Sequence, residues 1–128
     1  MKTKTNIELP EFSFSLVEAC KKFGRYFEGK SASELEKMVK EYQMFWGLLK
    51  KYPKQPFSPT KSIDEVWHLH MLHPQYYYTD CIEYFDGILS HNAGFGKTEE
   101  ERPVLDEIFE QGNDIWEKEY GYRLPEEV

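Results

Sequence analysis

Apolar residues along this chain recur at helical spacing almost from end to end. Leu16, Val17, Cys20, Phe23 and Phe27 form the first set. They follow Ser15-Leu-Val-Glu18, a capping box in which serine and glutamate satisfy each other's free backbone N–H groups. Gly29 ends that predicted helix. A second helix opens at Ser31-Ala-Ser-Glu34 or Ser33-Glu-Leu-Glu36, both of which offer caps, with Leu35, Met38, Val39, Tyr42, Phe45, Trp46 and Leu49 on one stripe. Tyr52-Pro-Lys-Gln-Pro-Phe-Ser-Pro59 cannot continue it, because proline lacks the N–H and clashes with the preceding turn. Residues 52–61 are therefore a proline-rich connector.

Ser62-Ile-Asp-Glu65 reads as the capping box of a third helix, and Pro74 either ends that helix or opens the next. The fourth, Gln75 to Phe85, places Tyr77, Tyr78, Cys81, Tyr84 and Phe85 on one face, and Asp86-Gly87 closes it. A glycine-bearing loop covers Ser90 to Lys97. Thr98-Glu-Glu-Glu101 with Pro103 announces a fifth helix. Its stripe is Val104, Leu105, Ile108, Phe109, Ile115 and Trp116, and Tyr120-Gly121 is its C-cap. No strand alternation or internal repeat is evident. The pattern predicts an all-α fold: a compact single-domain bundle of about five helices over residues 1–128, with a flexible arm over 1–12.

Composition narrows the functional classes. At 128 residues the chain can bury a core without staples. A 16 % aromatic share makes that core bulky, and a formal charge of −7 argues against binding a nucleic-acid backbone, which wants a basic patch. No apolar run reaches the ~20 residues of a membrane span, and the N-terminal stretch has no apolar signal core. Cys20 and Cys81 show no framework spacing. A reducing, cytoplasmic setting is expected, with free thiols or a ligand rather than a disulfide.

The candidate chemistry lies in residues 64–74, DEVWHLHMLHP, which hold three of the four histidines. Each helical residue advances by about 100°. His70 then falls inside the apolar stripe of Ile63, Val66 and Trp67, whereas Asp64 and His68 lie together on its flank. His68 and His70 splay by about 160° and cannot easily share an ion on one regular helix. Asp64 and His68, one turn apart, can. A metal site needs three or four ligands. Cys81, inward on the next helix, and His91, in the loop beyond, complete a set of Asp64, His68, Cys81 and His91, with His70 as an alternative ligand or behind the ligands. Sulfur and imidazole favour zinc, and the carboxylate also tolerates iron or manganese.

Each residue also has a plainer reading. A histidine on an apolar stripe is more often a buried, hydrogen-bonded core residue than a ligand. Cys81 is as readily a small core residue, and Cys20, Trp46, Trp67 and Trp116 are core positions. A Cys81–histidine nucleophile pair is disfavoured because burial raises a thiol's pKa. No phosphate loop, serine elbow or His-Glu-x-x-His motif is present.

The string Asp64-x-x-Trp67-His68-x-His70-x-Leu72-x-Pro74-x-x-Tyr77-x-x-Asp80-Cys81, followed by His91, resembles the signature of the glycine-rich domain-containing protein-like family. The resemblance implies no particular reaction. Plant members are linked to RNA binding through additional domains, and the scattered glycines here do not carry that property over. It does imply that Asp64, Trp67, His68, His70, Tyr77, Asp80, Cys81 and His91 act as a set.

Three functions compete. The first is a metal-binding helical domain, in which an open coordination position would let a bound water hydrolyse a substrate. The second is a metal-free module for an unidentified protein or small-molecule partner, its His/Asp/Cys set a buried hydrogen-bond network. Its contact surface would gather Phe57, Tyr76, Tyr78 and Phe95. The third uses His68 as a general base oriented by Asp64.

Overall fold

The computed structural model describes residues 7–23, 25–90 and 98–125. Among them are five α-helices and one 3₁₀ turn, and no strand. The helices are α1 (Leu16–Lys22), α2 (Ala32–Lys51), α3 (Lys61–Met71), α4 (Pro74–Phe85) and α5 (Arg102–Tyr120). The all-α bundle follows from the stripes read above.

Local chemistry sets the ends of these helices. Ser31 Oγ accepts from the Glu34 N–H at 3.1 Å while Glu34 accepts from the Ser31 N–H at 2.7 Å, so α2 opens on a complete capping box. At α1 only half of the box forms: Ser15 caps Glu18, and the Glu18 carboxylate turns to Lys21. Pro74 occupies the first turn of α4, where its missing N–H costs nothing. Gly121 closes α5 at φ +90°, a conformation glycine adopts freely.

Two boundaries and two buried faces differ from the sequence expectation. The first helix stops at Lys22 because Phe23 is extended (φ −129°, ψ 147°), and a 3₁₀ turn over Arg25–Phe27 then buries Phe27. The third helix is capped by Thr60 rather than Ser62. Thr60 is buried and accepts from the Ile63 N–H at 3.2 Å, which frees Ser62 to meet the Tyr26 hydroxyl at 3.1 Å. On α4, Tyr78 is 58 % exposed and Asp80 takes an inward position beside Tyr77 and Cys81. Val104, expected on the α5 stripe, is also exposed; that helix buries mainly its second half, around Asn113, Trp116 and Tyr120.

The core centres on α2 and α3, with Tyr42, Trp46, Ile63, Val66 and His70 fully enclosed. Helix α3 packs against α1, α2 and α4. Helix α5 reaches α2 through side chains, as the Tyr120 hydroxyl donates to the Met44 carbonyl at 2.6 Å.

Residues 7–14 carry neither helix nor strand, bend at Ser13 and Phe14, and lie along the bundle. Ile7, Leu9, Phe12 and Phe14 pack against the core, while Glu8, Glu11 and Ser13 face outward. Pro10 is buried too, so the inward positions are not a strict alternation, and the sequence pattern did not reveal them.

Candidate functional site

The histidine helix behaves as its geometry requires. His70, in the apolar stripe, is completely buried. Its Nε2 lies 2.8 Å from Asp80 Oδ2, and its Nδ1 lies 2.8 Å from the Tyr42 hydroxyl. A carboxylate only accepts, so Nε2 carries the proton and Nδ1 accepts from the tyrosine. Asp80 is filled further by the Ser13 N–H, which donates to Oδ1 at 2.8 Å. The chain of bonds thus links α2, α3, α4 and the N-terminal segment.

Burial pulls the His70 pKa below its ordinary value, and the Asp80 hydrogen bond and charge only partly oppose this. His73 adds to the lowering. The lowering favours the neutral imidazole, for which the contact with Asp80 is a hydrogen bond rather than an ion pair. Rings enclose it: Phe12 at 4.8 Å, Tyr77 at 5.0 Å and Trp46 stacked at 5.5 Å between centroids.

A second arm of the network runs through the remaining motif residues. The Trp67 indole N–H donates to the Tyr77 hydroxyl at 3.0 Å, and that hydroxyl donates to the Leu89 carbonyl at 2.5 Å. Cys81 is fully buried. Burial pushes its thiol up, against opposing contacts from the Leu89 backbone and Tyr77, so it is poorly suited to act as a thiolate. Cys20 is likewise a core residue, pushed up to about 11 by burial.

Asp64 and His68 sit elsewhere, on the partly exposed flank of α3. His68 Nε2 and Asp64 Oδ1 are 3.6 Å apart, one turn from each other as the spacing predicted. Among the described residues, no three His, Cys, Asp or Glu side chains gather into an arrangement that could hold a metal. Cys81 does not join Asp64 and His68 in such a group, and His91 lies outside the described residues. The predicted set therefore reduces, within the described residues, to one adjacent pair. The third histidine, His73, donates from Nδ1 to the Leu69 carbonyl at 2.9 Å.

The residues that sequence reasoning missed are Tyr42, Ser13 and, as the direct partner of His70, Asp80. Asp80 stood in the motif but outside the proposed ligands. Tyr42 was legible only as a stripe position, and nothing local marks Ser13. The proposed contact surface also divides. Tyr76 stacks on Phe14 at 4.4 Å, whereas Phe57 packs with Phe45 and against Gly112. Phe95 lies outside the described residues.

The chain is similar to Glycine-rich domain-containing protein 1 of Arabidopsis thaliana, at 28 % identity over 125 residues. That alignment covers 86 % of this chain and 14 % of the plant protein, so the chain spans about one-seventh of its curated relative. The likeness supports the glycine-rich domain-containing protein-like family that the Asp/Trp/His/Tyr/Asp/Cys motif suggests. No family model matches the chain. No solved structure matches it either. No helix among the described residues is long and apolar enough to cross a membrane.

Proposed function

We propose that this chain is a metal-independent interaction module, in which the family motif builds a hydrogen-bond network that locks the helices and presents a surface to a partner protein. One observation carries this reading: both ring nitrogens of His70 are engaged within the protein, by Tyr42 and Asp80. No lone pair is left for a metal and none for a substrate proton. Trp67 and Tyr77, the aromatic motif positions, bond each other and the Leu89 backbone in the same way. A fully satisfied buried network of this kind rigidifies a fold and specifies it. The buried free thiols of Cys20 and Cys81 suit a reducing, cytoplasmic setting.

A second reading has its own support. Asp64 and His68 lie one turn apart and are about one-third exposed, the placement from which two ligands can reach one ion. Zinc is the first choice for such a site and iron or manganese the alternatives, with His91 and a water or partner group supplying the rest. A water held at an open position would make metal-dependent hydrolysis available.

Elemental analysis of untagged protein, with thermal melts before and after chelator, separates the two. The module reading expects no stoichiometric metal and an unchanged Tm. About one zinc per chain, lost in His68→Ala, would overturn it in favour of the metal site.

A further inference from the structure

Segment 7–14, which is neither helix nor strand and bends at Ser13 and Phe14, occupies its groove as a bound peptide would, and we propose that it is an exchangeable intramolecular ligand. The groove between α2 and α4 then takes, in trans, a segment with the same Pro-x-Phe-x-Phe pattern. This rests on the interaction-module reading and names its contact surface.

The segment's hydrogen bonds are those of a ligand. Residues 8–14 form no backbone–backbone hydrogen bond. Their backbone is held by side chains of the bundle: Gln43 Nε2 donates to the Pro10 carbonyl at 2.8 Å, the Tyr84 hydroxyl to the Glu8 carbonyl at 2.6 Å, and Ser13 N–H reaches Asp80. Bonds to the main chain, together with pockets for side chains, are how a groove holds a peptide. The side chains here are Phe12, which meets Tyr42, Trp46 and His70, and Phe14, which stacks on Tyr76.

Two features favour exchange over permanent burial. Phe12 and Phe14 are only partly buried, unlike the enclosed rings of Tyr42 and Trp46. The start of the segment borders an open groove lined by Ile7, Glu8, Gly47, Lys50, Lys51 and Tyr84. Release would uncover the His70–Asp80 pair, so an incoming segment completes the same network.

The test uses a labelled peptide of residues 7–15, IELPEFSFS, titrated into the full chain and into its Phe12→Ala variant. The variant weakens the resident segment and is expected to bind the peptide at least tenfold more tightly than the wild type. A peptide with both phenylalanines changed to alanine should bind neither. A variant that melts cooperatively yet binds no more tightly than wild type would overturn the proposal. If Phe12→Ala fails to fold, native-state hydrogen exchange of the wild-type Ser13 amide decides. Exchange at least tenfold faster than the slowest α2 amides supports release of the segment, and exchange only through global unfolding refutes it. Neither readout depends on metal content, so this inference and the module reading can fail separately.

Discussion

Asp80 shows how much one side chain can organise in this fold. It is almost fully buried and accepts from the His70 ring and the Ser13 backbone. Asp80→Ala strands both donors, and two unsatisfied buried groups cost about 2–4 kcal/mol. Chemical denaturation should show that loss, and Asp80→Asn, which keeps an acceptor oxygen, should lose less. His70 has a pH signature of its own. Its pKa in the fold is lowered, mainly by burial, from an ordinary value of 6.5. The unfolded chain therefore takes up the proton first. The contribution of His70 to stability is intact above pH 6.5 and is lost as pH falls from there toward the folded-state value. Wild-type Tm should drop between pH 7.5 and 5.5 more steeply than that of His70→Gln, while equal slopes would show that other groups carry the acid sensitivity. Asp80, Tyr42, Tyr77 and His73 surround the ring, and of these His73 adds to the lowering.

At the scale of the element, caps and close approaches set stability. Ser31→Ala removes the capping box of the longest helix and should cost about 1 kcal/mol in urea melts. Gly47 lies in the middle of that helix, where alanine would ordinarily gain about 1 kcal/mol. Here a Cβ would meet Ile7 Cγ2 at 2.6 Å and the Tyr120 hydroxyl at 2.8 Å. The hydroxyl is held by the Met44 carbonyl and yields poorly. Gly47→Ala should therefore destabilise the protein by about 1–2 kcal/mol, as overpacking does. A stabilised variant would mean that Ile7 and Tyr120 move aside cheaply. The helices themselves were legible because their stripes are long and their caps explicit. The early stop of α1 and the shifted cap of α3 were not. Phe23 and Ser15-to-Phe27 periodicity fit a continuing helix, and only the burial of Phe27 and Thr60 in the assembled bundle decides otherwise.

Across the whole molecule, both ends of the described chain are fastened by side chains of the bundle. At the C-terminal end, Asn113 is buried and bonds Leu124 twice, donating to its carbonyl at 3.0 Å and accepting from its N–H at 2.9 Å. Arg123 meets Asp114 at 2.8 Å and Glu117 at 3.0 Å beside it, and the Tyr122 hydroxyl reaches Glu41. The Arg123 pairs are exposed and worth little. Asn113→Ala, by contrast, should cost about 2–3 kcal/mol and raise exchange at the Leu124 amide. Arg123→Ala should leave Tm within a degree or two, and a large loss there would show that the ion pairs, not the amide clasp, hold the segment.

Periodicity by itself determined the helices, the burial of Trp46, Trp67 and Trp116, and the separation of His70 from His68, since these depend on rotation about a single helix axis. Tertiary structure alone decided what each buried polar group meets. Tyr42, His70, Asp80 and Ser13 come from four segments up to 67 residues apart, and no local pattern encodes such a meeting. The same holds for the inward turn of Asp80 in place of Tyr78. A hydropathy stripe favours the ring, but burying the carboxylate becomes favourable once a histidine and a backbone N–H are there to receive it.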